Sequence, residues 1–343
     1  MVFVLLVIGS AVFGLRIAGA SKLAQGAIVV IGLAFVLAVQ MTLPADNSLR
    51  IATGGSLGSW LILIGVAGVV GLYGLGVRKL KSLATQEPIV TSDKMKDVEL
   101  ERYARHIVLR EVGGAGQQKL RRARVLVVGA GGLGSPALMY LAAAGVGTIG
   151  VIDDDEVGLS NLQRQVLFKD DDIDKPKVFA AEATLAQLNP HVDVLPYNRK
   201  LTEDMAETLI GGFDLVLDGT DNFPTRALVN RACVATKTPL ISGAISQWEG
   251  QLSVFDPAHG APCYACIFPD EPADGLAPSC AEAGVMGALP GVIGAMMAAE
   301  AIKLITGAGQ VLRGEMLMYD ALYSENRKIT VERRADCAVC GEK

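Results

Sequence analysis

Residues 57–77 read LGSWLILIGVAGVVGLYGLGV, 21 consecutive residues without a charge. Such a stretch must be buried on all sides in a core or placed across a bilayer, where a spanning helix needs about 20 apolar residues. The preceding sequence favours the bilayer. Residues 26–43, GAIVVIGLAFVLAVQMTL, are also charge-free, with Gln40 near one end. Residues 2–15 are apolar but shorter, and stop at Arg16. Residues 1–80 are therefore expected to form a membrane segment of two or three transmembrane helices, at about 2–20, 26–43 and 57–77.

The first of these segments reads as a span, an interfacial segment or a signal peptide. Ala18-Gly19-Ala20 resembles a cleavage site. Against cleavage, no basic residue precedes the apolar core. Cleavage would also leave Arg78, Lys79 and Lys81 outside the cell after two further spans. Three spans instead give short loops of +2 (Arg16, Lys22), 0 (Asp46, Arg50) and +3 (Arg78, Lys79, Lys81). The positive-inside rule then puts the long C-terminal part in the cytoplasm. The expectation is a multi-pass protein of the inner (cytoplasmic) membrane, with residues 81–98 as a polar linker.

From residue 99 to 343 the pattern is different. Glu99–Arg110 reads as an amphipathic helix with Leu100, Tyr103, Ile107 and Val108 on its apolar side. Strand-like runs at 124–128, 148–153, 192–197, 213–218 and 240–244 alternate with helix-like runs at 135–144, 176–188, 202–210 and 224–236. That alternation argues for an α/β, Rossmann-like, mostly parallel sheet. After Trp248, residues 251–255 read as a strand and the remainder as a smaller lobe rich in Gly and Pro.

The chemistry begins at VLVVGAGGLGS, residues 125–135. Gly129, Gly131 and Gly134 fit G-x-G-x-x-G between a strand and a helix, and Asp153 follows at the end of the next strand. This is the signature of a dinucleotide dehydrogenase, yet it states only that backbone approaches phosphate at a helix N-terminus. ATP fits as well as NAD. The next motifs favour ATP. In SNLQRQ, Arg164 is a bidentate donor suited to phosphate, flanked by Asn161 and Gln163. Lys177 opens a helix, where it would favour an anion. LDGTDN sets Asp218 and Asp221 at the carboxyl end of a strand, where open α/β sheets bind ligands. Hard carboxylate oxygen suits Mg²⁺, which a hydride-transfer site does not need. The plainer readings are an Arg164 pair with Asp170–Asp172, a solvated Lys177, and Asp221 or Asn222 as a helix cap.

Four of the six cysteines form Cys263-Tyr-Ala-Cys266 and Cys337-Ala-Val-Cys340. Two such pairs supply the four thiolates of a structural zinc site, which would tie the C-terminus back onto the small lobe. Redox-active or unrelated pairs are the alternative. The net charge of −5 gives nucleic-acid binding no electrostatic support. His106, His191 and His259 read as structural, and Cys233 as a core residue.

Taken in order, RYARHIVL, GAGGLGS, SNLQRQ, KPK, LDGTDN, EGQLSVF, CYAC, EAGVMG and CAVC resemble the MoeB/ThiF family of ubiquitin-activating-enzyme-like adenylyltransferases, the MoeB branch most of all. The resemblance covers residues 99–343. It implies adenylation, by ATP with Mg²⁺, of the C-terminal Gly-Gly carboxylate of a ubiquitin-like sulfur carrier, MoaD-like or ThiS-like. Gly132 then matches a nucleotide contact and Asp153 the acid on the ribose hydroxyls. Ser160, Asn161, Leu162, Gln163 and Arg164 match the segment lining the phosphates, and Lys177 matches a phosphate-binding lysine. Asp221, with Asn222 beside it, matches the aspartate essential for adenylation. Arg105 matches an arginine reaching the neighbouring subunit's ATP, which implies a homodimer. Cys280 matches a cysteine that links covalently to the carrier in some relatives. Residues 1–98 lie outside the pattern. The chain ends at Lys343 without a rhodanese-like extension, so sulfur is expected from a separate donor protein. A non-catalytic membrane-tethered scaffold is the competing reading; the intact Arg164, Lys177 and Asp221 argue against it.

Overall fold

The computed structural model describes residues 22–54, 56–83, 95–271 and 284–341, with isolated positions before residue 22. The expected segment 2–20 falls largely outside them, as do Ala18–Ala20, most of the linker and Cys280. The chain divides into two compact units, Met1–Lys94 and Met95–Lys343.

In the first unit the charge-free runs form helices Lys22–Thr42 and Leu57–Leu83, with a short helix Ser48–Thr53 between them. Gln25–Thr42 and Ser48–Val66 are long and apolar enough to cross a membrane. The polar connection is tied down by its own side chains. Asn47 caps the short helix by accepting the Leu49 N–H at 3.0 Å. Gln40 donates to Thr53 Oγ1 at 2.9 Å, and the buried Trp60 donates to Gly54 O at 2.9 Å.

The second unit is built on one eight-stranded sheet in the order β3-β2-β1-β4-β5-β6-β7-β8. Its strands are β1 (Arg124–Val128), β2 (Thr148–Asp153), β3 (Asp193–Asn198), β4 (Leu215–Asp218), β5 (Leu240–Ile245), β6 (Glu249–Phe255), β7 (Glu315–Asp320) and β8 (Glu325–Thr330). The first five are parallel, and the last three join antiparallel. The central parallel strands are apolar without interruption because both faces are covered. Val125, Val127, Val151 and Leu217 pack one way, against helices Gly134–Ala144, Lys177–Leu188 and Leu289–Thr306. Leu126, Val128, Ile152 and Val216 pack the other way, against Glu203–Ile210 and Phe223–Thr236.

Two expectations change, and one helix is added. The region after Trp248 extends the same sheet rather than forming a smaller lobe. Its Leu289–Thr306 helix is long and apolar enough to cross a membrane, yet Leu289, Ile293, Met297 and Ala301 lie in the core. Gly250 permits this close seat, since a Cβ there would stand 2.4 Å from Ile293. The expected Glu99–Arg110 helix breaks into Asp97–Arg102 and Ala104–Ile107. Of its apolar side only Tyr103 is buried, while Leu100 and Val108 are exposed. A further helix, Gly113–Arg122, was hidden by Gly113, Gly114 and Gly116, which are poor helix formers.

Candidate functional site

The carboxyl ends of the parallel strands meet at one edge of the sheet. Val128 pairs with Ile152 and Asp218, Asp153 with Asn198, and Asp218 with Ser242. The loops leaving these ends enclose a cleft of about 1020 Å³ where strand order reverses between β1 and β4.

The glycine loop forms one wall. Gly129 has φ +90°, a conformation L side chains rarely adopt. At Gly134 a Cβ would stand 1.9 Å from the Gly129 carbonyl oxygen, so the turn closes only with glycine. Gly129, Gly131 and Gly132 line the cleft; Gly134 is buried beneath the loop and does not. The helix that follows has no side-chain cap, and an uncapped helix N-terminus favours an anion.

Asp153 supports the loop from β2. Its Oδ2 accepts the Ala130 N–H at 2.7 Å and its Oδ1 the Asp155 N–H at 2.9 Å. Burial raises the Asp153 carboxyl above its ordinary range, while Lys177 and the two N–H groups pull the other way. Lys177 is buried at the start of its helix and donates to Asp155 Oδ2 at 2.7 Å. Arg164 and Asn161 line the same wall. Arg164 donates to Ser160 O at 3.0 Å, and Asn161 Oδ1 accepts the Gly158 N–H at 3.2 Å.

The opposite wall rises from β4. Asp221 is exposed and lines the cleft, and Asn222 caps the Phe223–Thr236 helix by accepting the Thr225 N–H at 3.0 Å. Asp218, read beside Asp221 as a metal ligand, is otherwise engaged. It is fully buried and accepts from Arg226 at 3.3 Å, Ser242 at 3.1 Å and Thr220 Oγ1 at 2.7 Å. Arg226 also donates to Gly243 O at 2.7 Å and to Thr220 O. It thereby clamps the ends of β4 and β5 and fixes the loop that presents Asp221.

Of the other residues assigned from sequence, Ser160, Leu162, Gln163 and Arg105 do not line the cleft. Leu162 packs on the core, Gln163 lies against Gly287, and Arg105 is exposed. None of the three histidines lines the cleft. Sequence reasoning missed Gln165, Arg199, Lys200 and Arg226, which do. Arg226 had one faint signal, a cation one turn into a helix that starts on a buried strand's end.

The second cluster is the four cysteines. Cys263 and Cys266 bracket the start of a short helix, Tyr264–Ile267, and Cys337 and Cys340 follow β8. Their sulfurs are 3.9 Å (263–266), 3.7 Å (263–337) and 3.5 Å (266–340) apart, and all four thiols lie within 4.8 Å of one another. Thiolates set tetrahedrally around zinc at about 2.3 Å stand about 3.8 Å apart, so the cluster fits that ion. Asn230 Nδ2 approaches Cys263 Sγ at 3.7 Å, as an outer partner of such a site does. Burial pushes the Cys263 thiol up. At Cys337 burial acts the same way, but the N–H groups of Cys340 and Val339 and the facing thiols hold it at about 7. Cys233 stands apart, its thiol raised by burial.

The comparisons agree with this architecture. The ThiF family model matches residues 103–339. A sulfur carrier protein adenylyltransferase of Thermus thermophilus is 51% identical over 249 residues, 71% of this chain and 92% of that protein. A SAMP-activating enzyme E1 of Haloferax volcanii is 47% identical over 244 residues, 71% and 90% of the two chains. A molybdopterin-synthase adenylyltransferase of Salmonella typhimurium is 46% identical over 249 residues, 73% and 99% of the two. The crystal structure of E. coli MccB with MccA-N7isoAsn shares the fold, with a TM-score of 0.63 at 24% identity over 70% of this chain and 75% of that one. The chain therefore belongs to the ThiF family.

Proposed function

We propose that this chain adenylates the C-terminal Gly-Gly carboxylate of a small ubiquitin-like sulfur carrier, consuming ATP and releasing pyrophosphate. The observation that carries this reading is the convergence on one cleft of the glycine loop, Arg164, Lys177 and Asp221. The name of the Salmonella relative favours a MoaD-like carrier, in molybdenum cofactor biosynthesis. The names of the Thermus and Haloferax relatives keep a ThiS-like or other carrier as the second reading.

A carboxylate oxygen of the carrier attacks the α-phosphorus of ATP. A new P–O bond forms, the bond to the bridging β-phosphate oxygen breaks, and pyrophosphate leaves with its electron pair. Such chemistry requires placement and charge neutralisation more than proton transfer, so a cleft without histidine suffices. Lys177 has three N–H donors and uses one on Asp155, leaving two for phosphate. Arg164 adds a planar donor pair. Asp221 presents hard oxygen to Mg²⁺, which would neutralise phosphate charge, and Asn222 keeps that loop capped. Asp153 faces the ribose. Arg105 reaches the nucleotide of a second copy in a homodimer. Zinc on Cys263, Cys266, Cys337 and Cys340 would be structural. The helices of the first unit anchor the enzyme in the inner (cytoplasmic) membrane with the second unit in the cytoplasm.

ATP–pyrophosphate exchange by the full chain in lipid nanodiscs tests this, with MoaD-like and ThiS-like carriers from the same organism supplied separately. Exchange that needs one carrier and its terminal glycines supports the reading and identifies the partner. No exchange with either carrier refutes it.

A further inference from the structure

Gln165 has no role in the assignments above. It lies one residue past Arg164, lines the cleft and is only 4% exposed. Its backbone is fixed on both sides. Its N–H donates to Asn161 O at 2.9 Å, and its C=O accepts the Phe168 N–H at 3.1 Å. The side chain is not fixed in this way. Its Oε1 is buried without a hydrogen-bond partner. Gln40 and Gln117 have a similar orphaned oxygen, yet each anchors its Nε2, on Thr53 Oγ1 and on Ala144 O. Gln165 Nε2 faces the glycine loop instead. It stands 3.9 Å from where a Cβ on Gly131 would be.

Buried amides in folded proteins are nearly always paired. One left open at the wall of a cleft, beside a glycine turn, is available to a ligand. The turn already turns backbone toward anions, and Arg164 and Lys177 border the same space. We infer that Gln165 is a nucleotide-binding residue whose Nε2–H donates to a phosphate oxygen of the triphosphate seated on the glycine loop. The inference rests on the ATP reading of the cleft. A neutral carboxamide adds direction to the phosphate contacts without adding charge.

The test is MgATP affinity and melting temperature of the full chain in nanodiscs. Gln165→Met keeps the shape and removes both polar atoms. It is expected to bind MgATP about 10- to 100-fold more weakly, the worth of a hydrogen bond to a charged group. Its melting temperature without nucleotide is expected to hold or rise, because an unpaired buried oxygen is gone. Gln165→Glu has the same shape with a negative charge beside the phosphates, and is expected to bind more weakly still. A packing role predicts the reverse: Gln165→Met melts lower and binds MgATP as the wild type does. That result overturns the inference and leaves the ATP reading intact. Wild-type protein that fails to bind MgATP removes both.

Discussion

The cleft and the cysteine cluster are both assembled from residues far apart in the chain, and they are finished in opposite ways. The cysteine cluster is closed. Its four sulfurs are buried, face one another, and have Asn230 behind them. The cleft is open. Asp221 and Arg164 reach its surface, and Gln165 lines it with its Nε2 toward the glycine loop. The same contrast recurs within three residues, where Asp218 is fully bonded and Asp221 is left exposed. A site that serves the fold completes its own valences. A site that serves chemistry leaves them for the substrate.

That contrast can be broken by substitution. Cys337→Ser is expected to have the largest effect: metal content by elemental analysis falls to background, and the melting temperature drops by on the order of 10 °C. Unchanged zinc in that variant would contradict the closed-site reading. Arg226→Met comes next. It strands Asp218 without its counter-charge, and breaking such a buried pair costs about 3–5 kcal/mol. A denaturation midpoint matching the wild type would show that the clamp carries no weight. Asp221→Ala is expected to lower ATP–pyrophosphate exchange about 100- to 1000-fold with the melting temperature unmoved. Should it melt lower instead, Asp221 belongs to the closed class and the comparison fails at its centre. Asn222→Ala, which removes only a helix cap, is expected to lower stability by about 1 kcal/mol. A larger loss of exchange than of stability would move Asn222 from support to substrate contact.

Much of this was legible in the sequence because some features depend only on near neighbours. The runs RVLVV and LVLD are apolar throughout because they lie inside a covered parallel sheet, and burial on both faces leaves no other pattern. The paired C-x-x-C spacing gave the cysteine cluster whole. The features that escaped depend on distant partners. β8, ENRKIT, has no apolar face because it is an edge strand exposed along its whole length. The Leu289–Thr306 helix is mostly apolar, and composition cannot separate a core helix from a membrane span; the glycine-lined strands opposite it decide. Arg226 and Gln165 look ordinary in sequence. Their meaning comes from what surrounds them, a full shell for one and a missing bond for the other.

The position of the last two cysteines has a consequence for how the domain assembles. Cys337 lies 74 residues after Cys263, and between them run the Leu289–Thr306 helix, β7 and β8. The thiols meet with that helix docked and both strands on the edge of the sheet. Gathering ligands across so long a loop is entropically uphill until those contacts exist. A metal ion held by all four thiols would therefore be a certificate that the sheet has been completed to its edge. Such an ion would tie three separable elements into a single belt.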